Sequence, residues 1–222
     1  MTECCPLCAT QSTAFFHRDR HREYLRCEQC KLVFVPPKDH VSSAAELAYY
    51  LQHENQVSDP GYRRFLSRLA DPLCERLAPC SVGLDFGCGP GPALAAMLTE
   101  AGHSLALYDY YFFNEPAALQ VNYDFITASE VVEHLHRPKD VLAMLWDRLQ
   151  PDAWFGVMTR LVLSKEAFAQ WHYIRDPTHV CFFSRETWIW WADCRHATVE
   201  FLGADVILLK KGPAKTESRK PV

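Results

Sequence analysis

The sequence has no apolar run long enough to cross a membrane; its hydrophobic stretches fall far short of the ~20 residues a spanning helix needs. It has no surplus of positive charge. The net charge is −4 over 222 residues, which gives no general attraction to nucleic acid or anionic lipid. The opening stretch, MTECCPLCATQ, has no basic segment followed by an apolar one. A signal peptide is therefore not expected there, and a cytoplasmic location is. No internal repeat is visible, and glycine is sparse, with nine in the chain. The rest is ordinary. Apolar residues make up 49% and charged residues 23%, as in a soluble domain of middling size with or without a small module.

Cysteine is plentiful. There are ten, and five fall in the first 35 residues. Without an export signal, clustered cysteines indicate metal binding or burial rather than disulfides. Cys5-x-x-Cys8 and Cys27-x-x-Cys30 are two knuckles separated by eighteen residues. Each aims two thiolates at one point, and together they make a closed, structural site for Zn²⁺. CPLC and RCEQCKLVFV look like a zinc ribbon, here taken as residues 1–40, in which the metal stands in for a core. Cys4 is a spare that can exchange with Cys5. Residues 17–31 hold five basic and three acidic groups, a weak footprint for RNA. A ribbon that covers a pocket or holds a partner is equally open. Cys74, Cys80, Cys181 and Cys194 have no partner spacing and are expected to be buried.

Residues 41–79 read as a helical lead-in. SSAAELAYYLQHEN opens on a serine cap, and Phe65, Leu66, Leu69, Leu73 and Leu77 recur at spacings of three and four around a break at Pro72. From residue 80 the rhythm changes. SVGLDF, HSLALYD, YDFITAS and WFGVMTRLVL read as strands, with helices in PALAAMLTEAG, EVVEHLH and PKDVLAMLWDRLQP between them. That alternation implies βαβ units and a parallel sheet. ATVEFLGADVILLKK reads as two further strands around Gly203, and residues 212–222 as a disordered tail.

Three of the nine glycines stand at every second position in VGLDFGCGPG, directly after the first strand of the alternating region. A glycine turn there lets a ligand reach backbone N–H groups at a helix N-terminus. The dinucleotide fingerprint G-x-G-x-x-G fits Gly87 and Gly89 but meets Pro92 at its third glycine. The actual run is Asp85-x-Gly87-Cys88-Gly89-x-Gly91. It resembles the first motif of the class I S-adenosylmethionine (SAM) dependent methyltransferases. The resemblance spans about residues 80–210: Asp109 ends the second strand, YDFITASEVVEHLHRP looks like the fourth-strand motif, and LWDRLQPDAWFGVMT like the fifth. It implies an α/β fold, a Rossmann-like seven-stranded, mostly parallel sheet with helices on both faces and an antiparallel last strand, preceded by the small zinc ribbon. The SAM-binding domain is then 80–211, with Asp85, Gly87, Cys88, Gly89, Gly91, Asp109, Ser129 and Glu130 around the cofactor. Asp109 is expected to accept hydrogen bonds from the ribose hydroxyls.

On a helix, Glu130 would face Glu133 and His134. Two carboxylates and an imidazole suit Mg²⁺, Mn²⁺ or Zn²⁺. The E-x-x-E-H pattern resembles that of metal-dependent small-RNA 2′-O-methyltransferases and ubiquinone-pathway O-methyltransferases, with His179 completing the set and His172 in reserve. The competing reading is a general base, His134 or His179, with no metal. Either makes Glu130, Glu133, His134 and His179 the candidates for activating an acceptor, with a small-molecule hydroxyl first and RNA second. A SAM-binding zinc protein without catalysis, serving a partner, is the reading from another class. In FAQWHYIRDPTHVCFFSRETWIWWADC, Trp188, Trp190 and Trp191 read as core. RDPTH reads as site, because core does not hold so many polar groups.

Overall fold

The computed structural model describes residues 3–52 and 56–214. His53–Asn55 and most of the expected tail, 215–222, lie outside the described residues. The first unit is a small antiparallel sheet of β1 (Thr13–Arg18), β2 (Glu23–Cys27) and β3 (Val33–Phe34). Two helices follow, α1 (Ser43–Tyr50) and α2 (Pro60–Cys74). Ser42 caps α1 by accepting from Ala45 N, and Asp59 caps α2 by accepting from Tyr62 N. α2 runs through Pro72. The expected break is thus absent.

The main sheet comprises β4 (Val82–Phe86), β5 (Ser104–Tyr108), β6 (Tyr123–Ser129), β7 (Leu149–Met158), β9 (Thr198–Leu202) and β10 (Val206–Lys210). The remaining strand, β8 (Cys181–Phe182), belongs elsewhere. The sheet order is β5-β4-β6-β7-β10-β9, with β10 antiparallel to both of its neighbours. Six strands stand where the resemblance implies seven. Only residues 109–122 separate β5 from β6, and they hold one 3-10 turn, Pro116–Gln120. A crossover helix with a further parallel strand needs more chain than that.

Both faces of the sheet are buried. On one, Leu66, Leu69 and Leu73 of α2 and Leu94 and Leu98 of α3 (Ala93–Glu100) pack with Phe125, Met158 and Leu208. On the other, Leu142, Leu145 and Trp146 of α4 (Pro138–Asp147) and Trp188 and Trp191 of α6 (Arg185–Asp193) pack with Ile126, Phe155, Val157, Ile207 and Leu209. Alternate residues of β10 thus serve opposite faces, as the strand period requires. Trp190 is half-buried.

The first sheet is no detached module. β3 pairs antiparallel with β8, and the buried residues of the ribbon belong to the same core as α4, α6 and β7. Phe16 and Tyr24 meet Phe168 of α5 (Lys165–Ala169) edge-on at 5.2 and 5.1 Å. Of the four unpaired-spacing cysteines, Cys181 is buried and Cys74 partly so, but Cys80 and Cys194 are exposed at turns.

Candidate active site

The glycine run follows β4 as the strand order reverses, with β5 on one side and β6 on the other. Gly87 and Gly89 have φ of +72° and +63°, the left-handed region. A Cβ on Gly87 would stand 2.5 Å from Val131 Cγ2, whereas one on Gly89 would meet nothing within 4 Å. Gly87 is thus kept for packing and Gly89 for conformation. The turn is fastened to the end of β5. Gly87 N donates to Tyr108 O at 2.7 Å, and Gly89 N donates to Asp109 Oδ2 at 2.9 Å. Asp109 Oδ1 accepts from Tyr111 N at 2.8 Å and Phe112 N at 3.1 Å. A carboxylate offers about four acceptor positions. In this arrangement one is left, on Oδ2, for a ribose hydroxyl rather than the two expected.

Asp85 lies beneath the turn and off the cavity wall. It is 3% exposed and accepts from Thr127 Oγ1 at 2.7 Å. Burial raises its carboxyl to about 6, against the pull of Thr127. Gly91 is buried at the start of α3, also off the wall. Gly87, Cys88, Gly89, Asp109, Ser129 and Glu130 all line one cavity of about 1100 Å³. Burial pushes the Cys88 thiol up, away from the nucleophilic thiolate.

Glu130 does not sit on a helix. Its φ is +53°, and only Val132–His134 form a single 3-10 turn. The helical face expected for Glu130, Glu133 and His134 is therefore absent, and a different architecture gathers them. Glu133 is fully buried and accepts from Tyr173 OH at 2.5 Å and Thr159 Oγ1 at 3.0 Å. Tyr173 OH also reaches Glu130 Oε2 at 3.5 Å. Burial and the neighbouring Glu133 raise the Glu130 carboxyl to about 9, and burial raises Glu133. Glu130 Oε1 is buried with no hydrogen-bond partner among the described residues. A hydrogen-bond donor from a ligand would satisfy that orphaned oxygen.

The segment 172–179 supplies the opposite wall. His179 Nδ1 lies 2.8 Å from Tyr173 O. A carbonyl only accepts, so Nδ1 carries a proton, and in the neutral ring Nε2 has the lone pair, 3.6 Å from Asp176 Oδ2. Thr178 Oγ1 donates to Asp176 Oδ1 at 2.5 Å, so His134 Nδ1, 3.0 Å from Thr178 Oγ1, is the donor there. Both imidazoles are thus held in the same tautomer by the bond on the other nitrogen. Burial works against the Asp176 carboxylate, yet His179 and Thr178 hold it below the usual range. The His134 and His179 rings lie 4.6 Å apart. One ligand atom from each of Glu133, His134 and His179 falls within 4.8 Å of the others, which two nitrogens and an oxygen on a divalent cation require; Glu130 is outside that group. His172 is exposed.

Several groups at this site went unnoticed in the sequence. Glu46, 8% exposed, accepts from Tyr50 OH at 3.0 Å and Tyr111 OH at 2.9 Å, tying α1 over the cavity. Its partner Tyr111 is 65 residues away, and nothing local announces it. Thr159 had a signal: a polar residue just past a parallel strand, at the end where ligands bind.

The four knuckle cysteines come together. Cys5 Sγ is 3.5 Å from Cys30 Sγ, Cys8 Sγ is 3.4 Å from Cys27 Sγ, and all four sulfurs lie within 4.8 Å. Tetrahedral zinc with bonds of about 2.3 Å puts sulfurs ~3.8 Å apart, so the set fits. In both knuckles the residue after the second cysteine, Ala9 or Lys31, is left-handed and donates its N–H to the carbonyl of the first cysteine. Cys4 is exposed and outside the cluster.

A sheet that binds ligands at its switch point, with a glycine turn locked to an acid on the next strand, is the architecture of a nucleotide-type cofactor enzyme. A family model described as a methyltransferase domain matches residues 52–198, and the chain belongs to that family. It is a methyltransferase, with the fold of the SAM-dependent enzymes. A SAM-dependent methyltransferase from Archaeoglobus fulgidus superposes with a TM-score of 0.55 at 18% identity, over 73% of this chain and 99% of that one. A 1,6-didemethyltoxoflavin-N1-methyltransferase from Burkholderia thailandensis, solved with its acceptor and S-adenosylhomocysteine, gives 0.50 at 17% identity over 90% and 100%. The magnesium protoporphyrin IX methyltransferase of Synechocystis PCC 6803, with bound SAH, gives 0.51 at 12% over 77% and 95%. None of the curated proteins compared with the sequence matches it.

Proposed function

We propose that this chain methylates a hydroxyl of a small molecule, using SAM as donor. One observation carries the reading: a single cavity runs from Gly87, Gly89 and Asp109 to His134, Asp176 and His179. SAM supplies an electrophilic methyl on a sulfonium. Asp109 and the glycine turn hold the nucleoside end, and the buried oxygen of Glu130 accepts from the amino group. The acceptor oxygen takes the methyl in line as its proton passes to an imidazole Nε2. His134 and His179 both present that nitrogen in the required tautomer.

Glu133, His134 and His179 also suit Mn²⁺ or Zn²⁺, and with two nitrogens suit Mg²⁺ less well. A cation held there would lower the pKa of a bound hydroxyl. Cys5, Cys8, Cys27 and Cys30 hold a structural Zn²⁺ in this reading, with one metal per chain expected by elemental analysis.

The wall carries Glu46, Asp109 and Asp176 against one arginine, Arg137, while Glu130 keeps its proton. That field disfavours a phosphodiester backbone and favours a neutral or cationic acceptor. Of the ribbon's basic groups, Arg18, Arg26 and Lys31 pair with Glu23, Glu186 and Glu28 and Arg22 is buried, so that Arg20 and Lys38 are the exposed cations left to meet RNA, a small footprint.

The test is a screen of hydroxylated aromatic and sugar acceptors with SAM, read as release of S-adenosylhomocysteine. His134→Gln and His179→Gln together should cut turnover ~100-fold or more while leaving cofactor binding intact. Turnover that survives both substitutions contradicts the reading. So does a protein that binds a partner equally well with and without them and turns over nothing.

A further inference from the structure

Arg22 belongs to the ribbon, yet all four bonds of its terminal nitrogens go to the site segment. Nη1 donates to Pro177 O at 3.0 Å and His179 O at 2.9 Å. Nη2 donates to Ile174 O at 2.6 Å and Asp176 O at 2.9 Å. The side chain is 8% exposed, so the guanidinium is a template around which residues 174–179 are wound. Only a planar fork with paired donors on each nitrogen can hold four carbonyls in this way. Asp19 fixes the arginine in turn, accepting from Arg22 N at 2.7 Å and from Tyr24 OH at 2.6 Å.

The same segment is joined to the ribbon and to the site by backbone. Val35 N donates to Val180 O at 2.9 Å, and Val180 N donates to Glu133 O at 2.8 Å. Everything 172–179 offers the cavity depends on its exact winding: the Tyr173 carbonyl that sets the His179 tautomer, and the Asp176–Thr178 pair that sets His134.

We infer that the ribbon is a structural half of the acceptor site and that Arg22 is a positioning residue, which acts by shaping residues 174–179 and so presents the His179 and His134 imidazoles to the cavity. This assignment rests on the reading of those histidines as acceptor-activating groups, but its test does not require the acceptor. Among the described residues the glycine turn and Asp109 make no hydrogen bond to the ribbon, so cofactor binding should be insensitive to Arg22.

The experiment is long-range ¹H–¹⁵N NMR of the histidine side chains in the full chain, assigned with His179→Gln and His134→Gln, beside calorimetric titration with S-adenosylhomocysteine. The wild type should show His179 as one tautomer, protonated on Nδ1. In Arg22→Gln it should become a mixture, while affinity for S-adenosylhomocysteine changes less than about twofold. Arg22→Lys keeps the charge but at most three of the four bonds, and should fall between. If Arg22→Gln does not fold, Arg22→Lys carries the same readout. An unchanged His179 tautomer in a folded variant overturns the assignment. So does loss of folding in both variants, which would make Arg22 a support of the whole fold. A wild type that fails to bind S-adenosylhomocysteine would overturn the methyl-transfer reading and leave the tautomer comparison to decide the role of Arg22.

Discussion

Asp109 Oδ2 accepts the N–H of Gly89 at 2.9 Å, which locks the acid that ends β5 to the turn that follows β4. The two motifs are one device, since the acid shapes the loop that it shares with the ligand. Asp109→Ala should therefore remove a ribose acceptor and three backbone anchors at once. A charge-assisted hydrogen bond is worth about 1.5–3 kcal/mol. SAM affinity should fall at least ~10-fold, measured by equilibrium dialysis, with the fold retained by circular dichroism.

Gly87 and Gly89 share left-handed backbone but not surroundings. Gly87→Ala adds a contact with Val131 at 2.5 Å to a conformational cost of about 1–2 kcal/mol. Gly89→Ala incurs the conformational cost alone. The first should lower the melting temperature clearly more than the second. Equal shifts in differential scanning fluorimetry would mean that the side chain of Val131 yields at no cost.

Asp85 makes stability depend on pH with a defined sign. Its carboxyl keeps its proton up to about 6 in the folded chain, against 3.8 ordinarily, because it is buried. Between these values the native state binds more protons than the unfolded one, so the contribution of Asp85 to stability falls as pH rises from 4 to 6. The loss is on the order of 3 kcal/mol. Asp85→Asn abolishes it. Urea denaturation without cofactor should show the variant gaining on the wild type between pH 4.5 and pH 7. No gain would mean that the aspartate is ionised at little cost.

Most strands of the main sheet could be read from period and composition as short apolar runs bounded by turn residues, but β7 starts at Leu149, inside the stretch read as helix, and ends at Met158, five residues before the run read as strand does. The seventh strand came from resemblance alone, and the 14 residues of 109–122 cannot contain it with its crossover. EVVEHLH has helical spacing, but left-handed Glu130 stops a helix from starting there. Helical periodicity grouped Glu130 with Glu133 and His134, but Glu130 falls outside the cluster of ligand atoms that Glu133, His134 and His179 form. The 3-10 turn places them, and residues 172–179 complete the set. Arg22 was illegible because its partners lie more than 150 residues along the chain. Only tertiary structure brings a ribbon arginine under a site loop.

If the glycine turn and Asp109 receive SAM, calorimetric titration of the purified chain with SAM and, separately, with NADH, each with and without Mg²⁺, will show it. SAM should bind with a Kd of about micromolar order, near −8 kcal/mol, and NADH should not bind. Binding of NADH in place of SAM would contradict that reading, and would mean that Pro92 in the position of the third fingerprint glycine still admits a dinucleotide.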